Sequence, residues 1–229
     1  MNNINYIISS CTIGRNSVFK DGICLYAQAG ELSERLLSLY HSLGLDYPKF
    51  YKMDPLSKLG WLASEILLKD NTIPSTMQPE DIGIVLTNAN SSLDTDIKYL
   101  NTVADIASPA VFVYTLPNIM IGEISIRNKF KGENAFFIFD RFDAGFLELY
   151  VGQLLDTGVL KACICGWVDV LGDDYKACLF LVARGQSGNP ASFAVSDGSE
   201  SPEQGGDGAS EYVAFSKENM DKIFREDGI

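Results

Sequence analysis

Histidine is all but missing from this sequence: its 229 residues include one, His41. Zinc chemistry and histidine-based proton transfer therefore start without their usual groups, and neither a metal nor a cofactor is expected. Cations are scarce too. Eighteen Lys and Arg face 30 Asp and Glu, a net charge of −12, and no basic patch with interleaved aromatics occurs. That excludes nucleic-acid binding, which needs clustered cations against phosphates. No apolar run approaches the roughly 18 residues of a membrane span. The opening MNNINYIISSCTIG lacks the basic start and long apolar stretch of a secretion signal. Five cysteines, Cys11, Cys24, Cys163, Cys165 and Cys178, are an odd number at scattered positions, so reduced thiols in a cytoplasmic setting are expected.

What is present is an alternation of strand and helix patterns. Residues 6–13 read as a first strand. Residues 31–43 read as a helix, with Leu32, Leu36, Tyr40 and Leu43 at helical spacing and Gly44 as its stop. His41 lies off that stripe, in solvent. Asp54 and Pro55 start a second helix, a cap followed by a first-turn proline. The all-apolar run 82–86 marks a strand covered on both faces. Ser91 or Ser92 can cap a helix running to about 103. Ser108-Pro109 opens an amphipathic segment that Pro117 should bend. Strands at 135–139, 161–170 and 175–183 complete the pattern. The expected class is α/β, a mixed five-stranded sheet flanked by helices. Residues 1–184 form the body. Residues 185–229 form a Gly/Ser-rich acidic tail with nine acidic and three basic residues, and a terminal helix at 216–226 carries Met220, Ile223 and Phe224 on one side.

The most informative stretch is 131–158, KGENAFFIFDRFDAGFLELYVGQLLDTG. A strand runs through the turn DRFDAG into an apolar helix, an arrangement that poises a nucleophile at a helix N-terminus. The turn offers Asp140, Arg141, Phe142, Asp143, Ala144 and Gly145, with no thiol or hydroxyl. Asp140 and Asp143 read as helix caps, with an acid/base pair as the alternative. Cys163 and Cys165 share one strand face; packing is the plain reading, a metal or redox pair the other.

Several stretches together resemble the N-terminal half of a β-ketoacyl synthase of the thiolase fold. YIISSCTIG resembles the opening strand of those enzymes, and YKMDPLSKLGWLASE their Met-Asp segment before a helix. SPAVFVYTLPNIMIGEISIRNKFKGEN resembles the segment preceding the nucleophile strand. KACICGWVDV resembles a strand that ends in a Gly-Gly-acid turn. The family's nucleophile turn reads Thr-Ala-Cys-Ala-Ser-Gly; with its Gly on Gly145, the cysteine falls on Phe142. The family's two catalytic histidines lie in the second half of its fold, and His41 matches neither. A phenyl ring cannot form a thioester.

The resemblance implies a thiolase-like half-fold and a chain-length-factor-like role. The expectation is a non-catalytic subunit that pairs with an active β-ketoacyl-ACP synthase, or with a second copy of itself. It would shape the acyl pocket in fatty acid or polyene/polyketide-type biosynthesis and meet acyl carrier protein. By the same resemblance the dimer edge is the strand bearing Phe136 and Phe137, and the segment 109–118 reaches across it. Val111, Phe112, Tyr114, Pro117 and Asn118 then line the acyl pocket or interface. Arg141 would pair with Asp140, with Asp143, or with an anionic group such as a carrier protein's phosphopantetheine. Two alternatives remain open: a homo-oligomeric acyl- or carrier-protein-binding scaffold, and a condensing-type acyltransferase rewired around Asp140, Arg141 or Asp143. The helix after the turn is apolar nearly all round, so it needs cover beyond one sheet. Leaving three of its side chains wet would forfeit about 5–9 kcal/mol. The cover is expected from the tail helix, a second copy or another protein.

Overall fold

The computed structural model describes residues 4–27, 30–185 and 212–225. Strand β1 (Asn5–Ile13) is followed by a hairpin of β2 (Ser17–Lys20) and β3 (Ile23–Ala27). Then come α1 (Leu32–Ser42), α2 (Pro55–Leu68), the short α3 (Ile73–Thr76) and β4 (Ile82–Asn88). Helices α4 (Leu93–Val103), α5 (Pro109–Phe112) and α6 (Ile119–Asn128) lead to β5 (Asn134–Ile138) and α7 (Ala144–Asp156). Strands β6 (Ala162–Leu171) and β7 (Asp174–Arg184) close the body, and β8 (Val213–Ala214) and α8 (Lys217–Arg225) follow.

The strands make one mixed sheet in the order β3-β2-β1-β7-β6-β4-β5, with β8 also pairing β1. β4 runs parallel to both β5 and β6, and the other pairs are antiparallel. The expected α/β layering is present, but the sheet has three strands more than the five read from the sequence. Two of them are the β2–β3 hairpin. Its turn is Asp21-Gly22, and both residues have positive φ, 51° and 76°, as a two-residue hairpin turn requires. The third, β8, lies in the tail.

One sheet face carries α1, α2 and α6. Leu36, Leu59, Trp61, Leu62, Ile66 and Ile124 are buried there. The other face carries α7 and α8, over Val85, Cys163, Cys165, Cys178, Phe180 and Val182. β4 is buried at every residue, the signature of a strand sandwiched between two helix layers.

Local sequence sets the helix ends. Asp54 accepts a hydrogen bond from Ser57 N at 2.9 Å, ahead of Pro55. The Ser108 hydroxyl accepts from Val111 N at 3.4 Å. Ser92 stands at the N-cap position of α4, but its hydroxyl donates to the Thr115 carbonyl at 2.7 Å instead of capping. At Pro117 the chain turns sharply, so that Pro109–Thr115 and Ile119–Asn128 meet at 95°. Among the described residues no single helix is long and apolar enough to cross a membrane. His41 is exposed on α1, as its position off the apolar stripe requires. The expected tail helix is α8; Glu226, its expected last residue, and 186–211 of the tail lie outside the described residues.

Candidate functional site at the turn between β5 and α7

β5 is the sheet's outer parallel strand, and the turn leaves its C-terminal end. Phe139 N–H donates to the Asn88 carbonyl at 2.9 Å, so the turn is fastened to the end of β4. Asn88 is fully buried and closes its own loop: its Nδ2 donates to the Ser91 carbonyl at 2.8 Å, and its Oδ1 accepts from Ser91 N at 2.9 Å. Asp169 on β6 accepts three hydrogen bonds from the same loop, from Ala89 N, Asn90 N and Asn90 Nδ2, at 3.2, 3.0 and 2.7 Å. This Asn88–Asp169 lattice is absent from the sequence reading above. Its only signal is a polar residue at the end of each of two buried strands.

In the turn itself, Asp143 caps α7, its Oδ1 accepting from Phe146 N at 2.9 Å. That bond and the helix dipole account for the carboxylate. Asp140 and Arg141 are exposed. Gly145 sits in the first turn of α7, where an added Cβ would lie 3.4 Å from Asp143 Oδ1 and 3.7 Å from Lys217 Cδ. Phe142 points inward and is half-buried. Its ring stacks on Phe224 of α8, centroids 4.2 Å apart and planes 11° apart. Trp167 and Phe180 both lie 6.4 Å from it, Trp167 edge-on. Lys176 Nζ stands 4.2 Å from the Phe224 ring centroid and donates to the Phe224 carbonyl at 2.5 Å.

The tail thus supplies part of the cover that α7 needs. β8 pairs with β1 at Tyr6 and Ile7, and Phe215 N–H donates to the Asn5 carbonyl at 2.8 Å. Lys217 N–H donates to Glu148 of α7 at 3.1 Å. Met220 is fully buried, with Ile223 and Phe224 half-buried beside it. Leu149 stays 72% exposed, so one stripe of α7 remains open to solvent.

The thiols near the turn are packing groups. Burial pushes Cys163 and Cys165 well above the ordinary thiol range; the nearby sulfurs of Cys163 and Cys178 push Cys165 the same way, while a backbone hydrogen bond at Val85 partly opposes the shift of Cys163. A neutral thiol is neither nucleophile nor metal ligand. Among the described residues no cluster of His, Cys, Asp and Glu could hold a metal ion.

The remaining predicted positions fall in two places. Phe136 packs on the α2 side of β5. Phe137 faces α7, edge-on to Phe146 at 4.9 Å and to Tyr150 at 5.1 Å. Among the described residues β5 has β4 on one side and no strand on the other. In the 109–118 segment, Tyr114 is buried and its hydroxyl donates to Glu123 at 3.1 Å. Glu123 is itself buried and pairs with Lys49 Nζ at 2.7 Å. Burial and the adjacent Glu123 carboxylate push the Tyr114 hydroxyl far above its ordinary range. Val111 and Pro117 are partly covered, and Asn118 is exposed where α6 begins. Phe112 is 56% exposed and packs against Tyr99 of α4, ring centroids 5.3 Å apart. It belongs to an apolar belt that the sequence reading missed. Ile97, Leu100 and Val103 of α4 join Ile106, Phe112 and Leu116, with Leu100 at 70% and Ile106 at 80% exposure.

A mixed sheet between helix layers, with strand, turn and apolar helix at its parallel edge, is the thiolase-like ketosynthase fold. Solved structures with this fold include the ishigamide ketosynthase/chain length factor, at a TM-score of 0.57 and 17% identity over 80% of this chain and 62% of that one. A ketosynthase bound to a hexaketide, in complex with its type II PKS acyl-carrier protein, matches at 0.55 and 14% identity, over 80% and 63%. A ketosynthase in complex with its chain length factor from Xenorhabdus doucetiae matches at 0.52 and 16% identity, over 80% of each chain. The chain therefore spans about three-fifths of the length of the first two. No family model and no curated protein sequence matches it.

Proposed function

We propose that this chain is a non-catalytic, chain-length-factor-like subunit. It pairs with an active β-ketoacyl-ACP synthase in the cytoplasm and helps shape its acyl pocket during fatty acid or polyene/polyketide-type biosynthesis. The observation that carries this reading is the turn at Phe142. The resemblance puts a condensing cysteine at that position, and the structure has a phenyl ring there, stacked on Phe224 among further apolar side chains. Its nearest rings, Phe224, Trp167 and Phe180, are aromatic, and a phenyl group cannot act as a nucleophile. The cluster of exposed apolar side chains on and after α4, Leu100 and Phe112 among them, supports a partner, since large exposed apolar patches mark interaction sites. Residues 1–184 act as the body of this subunit and 185–229 as an appendage that returns to it.

The outer edge of β5, which no described strand pairs, favours one second reading, a homo-oligomeric scaffold that binds acyl chains or acyl carrier protein, because an unpaired edge can add a strand from another copy. One experiment separates the two. The chain is co-expressed with the β-ketoacyl synthase encoded nearest to it and with acyl carrier protein, then sized by chromatography with light scattering. Co-elution in a fixed ratio with the synthase supports the subunit reading. A homodimer that ignores the synthase and retains carrier protein supports the scaffold. A monomer that binds neither refutes both.

A further inference from the structure

α1 carries a charge on the face that its pattern reserves for the core. That face is Leu32, Arg35, Leu36, Leu39 and Tyr40, and Arg35 is 9% exposed. Removing a guanidinium from water is costly, so buried cations are held beside anions or by several hydrogen bonds. Nη1 of Arg35 donates to the Arg15 carbonyl at 2.6 Å, which ties α1 to the turn between β1 and β2. That bond engages one of the guanidinium's several donors. The same charge reaches a second buried polar group. Tyr175 is 5% exposed, and its hydroxyl has no hydrogen-bond partner among the described residues. Burial raises its pKa, and the Arg35 and Arg15 guanidinia oppose the rise. Arg35 also lines a cavity of about 410 Å³ between α1 and the β2–β3 hairpin, inside the range of roughly 300–1,000 Å³ that small-molecule sites occupy. Val18 and Tyr26, cross-strand partners in the hairpin, and Leu39 of α1 give it apolar walls. Ser38 and Glu34 add a hydroxyl and a carboxylate. Val18, Leu39 and Arg35 are buried, while Glu34 and Ser38 are exposed. The positive charge therefore lies deep and the negative charge at the mouth.

We propose that this cavity binds a small monocarboxylic acid with an apolar body, its carboxylate on Arg35 and its body against Val18, Tyr26 and Leu39. A planar guanidinium fork matches the two oxygens of a carboxylate, and such charge-assisted bonds are the strong ones. Glu34 at the mouth repels a second negative charge, which selects a monocarboxylate over a dicarboxylate or a phosphate. The apolar walls select against an anion that has no body to bury. α1 covers the sheet face opposite α7, so the site is separate from the Phe142 turn, and its failure would leave the subunit reading intact.

The probes are benzoate, its neutral counterpart benzyl alcohol, and inorganic phosphate, each titrated into the intact isotope-labelled chain and followed in amide spectra. Benzoate shifts the amides of Val18, Ser38 and Leu39 saturably, with a dissociation constant at or below about 1 mM, within reach of a ligand of its size. Benzyl alcohol and phosphate each bind at least about tenfold more weakly, since one lacks the charge and the other the apolar body. Arg35→Gln removes the preference for benzoate over benzyl alcohol. Because Arg35 also holds the β1–β2 turn, an exposed position supplies a second variant that decides the matter if Arg35→Gln fails to fold. Ser38→Asp places a like charge at the cavity and weakens benzoate about threefold, with thermal unfolding nearly unchanged. Equal binding of benzoate and benzyl alcohol overturns the proposal, as does phosphate binding as tightly as benzoate. So does a benzoate affinity that Ser38→Asp leaves unchanged, or shifts that do not saturate at the cavity.

Discussion

Gly166→Ala should unfold this protein more readily than any other glycine-to-alanine change in its strands or turns, for a reason that can be measured. Gly166 lies within β6, opposite Leu179 of β7. Its φ is +146°, and an added Cβ would fall 2.1 Å from the Cys178 carbonyl oxygen and 3.0 Å from Leu179 Cα. These are backbone atoms of a strand paired on both sides, by β1 and by β6, so they cannot move aside like a flexible side chain. Its own carbonyl also accepts from the Thr87 hydroxyl at 3.0 Å. Overpacking a rigid core costs about 1–3 kcal/mol, and forcing an L side chain to an unfavourable φ adds about 1–2 kcal/mol. Together they give about 2–5 kcal/mol, a large share of the roughly 5–15 kcal/mol that holds a domain together. With a urea slope of about 2 kcal/mol/M, the unfolding midpoint falls by about 1–2.5 M. Gly172→Ala in the β6–β7 turn is the control. It shares the positive φ (+60°) but has nothing within 4 Å of the added Cβ, so it should cost only about 1 kcal/mol. Midpoints for the two variants that agree within error would refute the steric argument.

Three further outcomes follow from the same structure. Replacing Leu100 and Phe112 with Glu should leave thermal unfolding nearly unchanged, because both are already largely exposed; co-elution with the synthase proposed as its partner should fall at least about tenfold, read by chromatography at matched concentrations. Stability should drop as pH rises above about 10. Burial raises Tyr114 and Tyr175 above their ordinary range, so the unfolded chain loses those protons first and is favoured by alkali. Tyr114→Phe should flatten part of that slope in denaturant titrations at stepped pH. Against a thiol reagent under native conditions, Cys24 should react fast, since it is the exposed cysteine while Cys11, Cys163, Cys165 and Cys178 are buried; all should react in denaturant, and fast native labelling of Cys165 would contradict its burial.

Much of the fold was legible in local chemistry. Asp54-Pro55, Ser108-Pro109 and Asp143 each announced a helix start, and each carboxylate or hydroxyl accepts the expected backbone bond. The unbroken apolar run at β4 announced a strand with two covered faces. The β2–β3 hairpin was legible as well: Asp21-Gly22 between SVFK and ICLYA is a strong short-range hairpin signal. β3 itself is mostly exposed although its residues, ICLYA, are as apolar as those of a core strand. The Phe142 turn could be read as lacking a nucleophile, but not as filled. What fills it comes from Phe224, 82 positions later, and no local pattern specifies which groove a three-residue apolar stripe will enter. The α4 belt escaped for the opposite reason. Leu93, Ile97 and Leu100 have the spacing of a core-facing helix, and only the folded arrangement shows that face turned outward.

The pairing of β1 with both β7 and β8 also sets the order in which this protein can be made. β1 is synthesised well before two of its neighbours in the sheet, which lie at 174–184 and 213–214. Until those are synthesised, β1 has the β2–β3 hairpin for company, and the apolar underside of α7 has no finished sheet to rest on. Contacts of such long sequence separation form slowly, and exposed apolar surface on a nascent chain is an invitation to aggregate. β8 and α8 follow the body in synthesis and cover part of the α7 face. A premature stop between 184 and 212 would therefore release a chain whose Phe142 and Trp167 lack their contacts with Phe224, a ready substrate for chaperones and proteases.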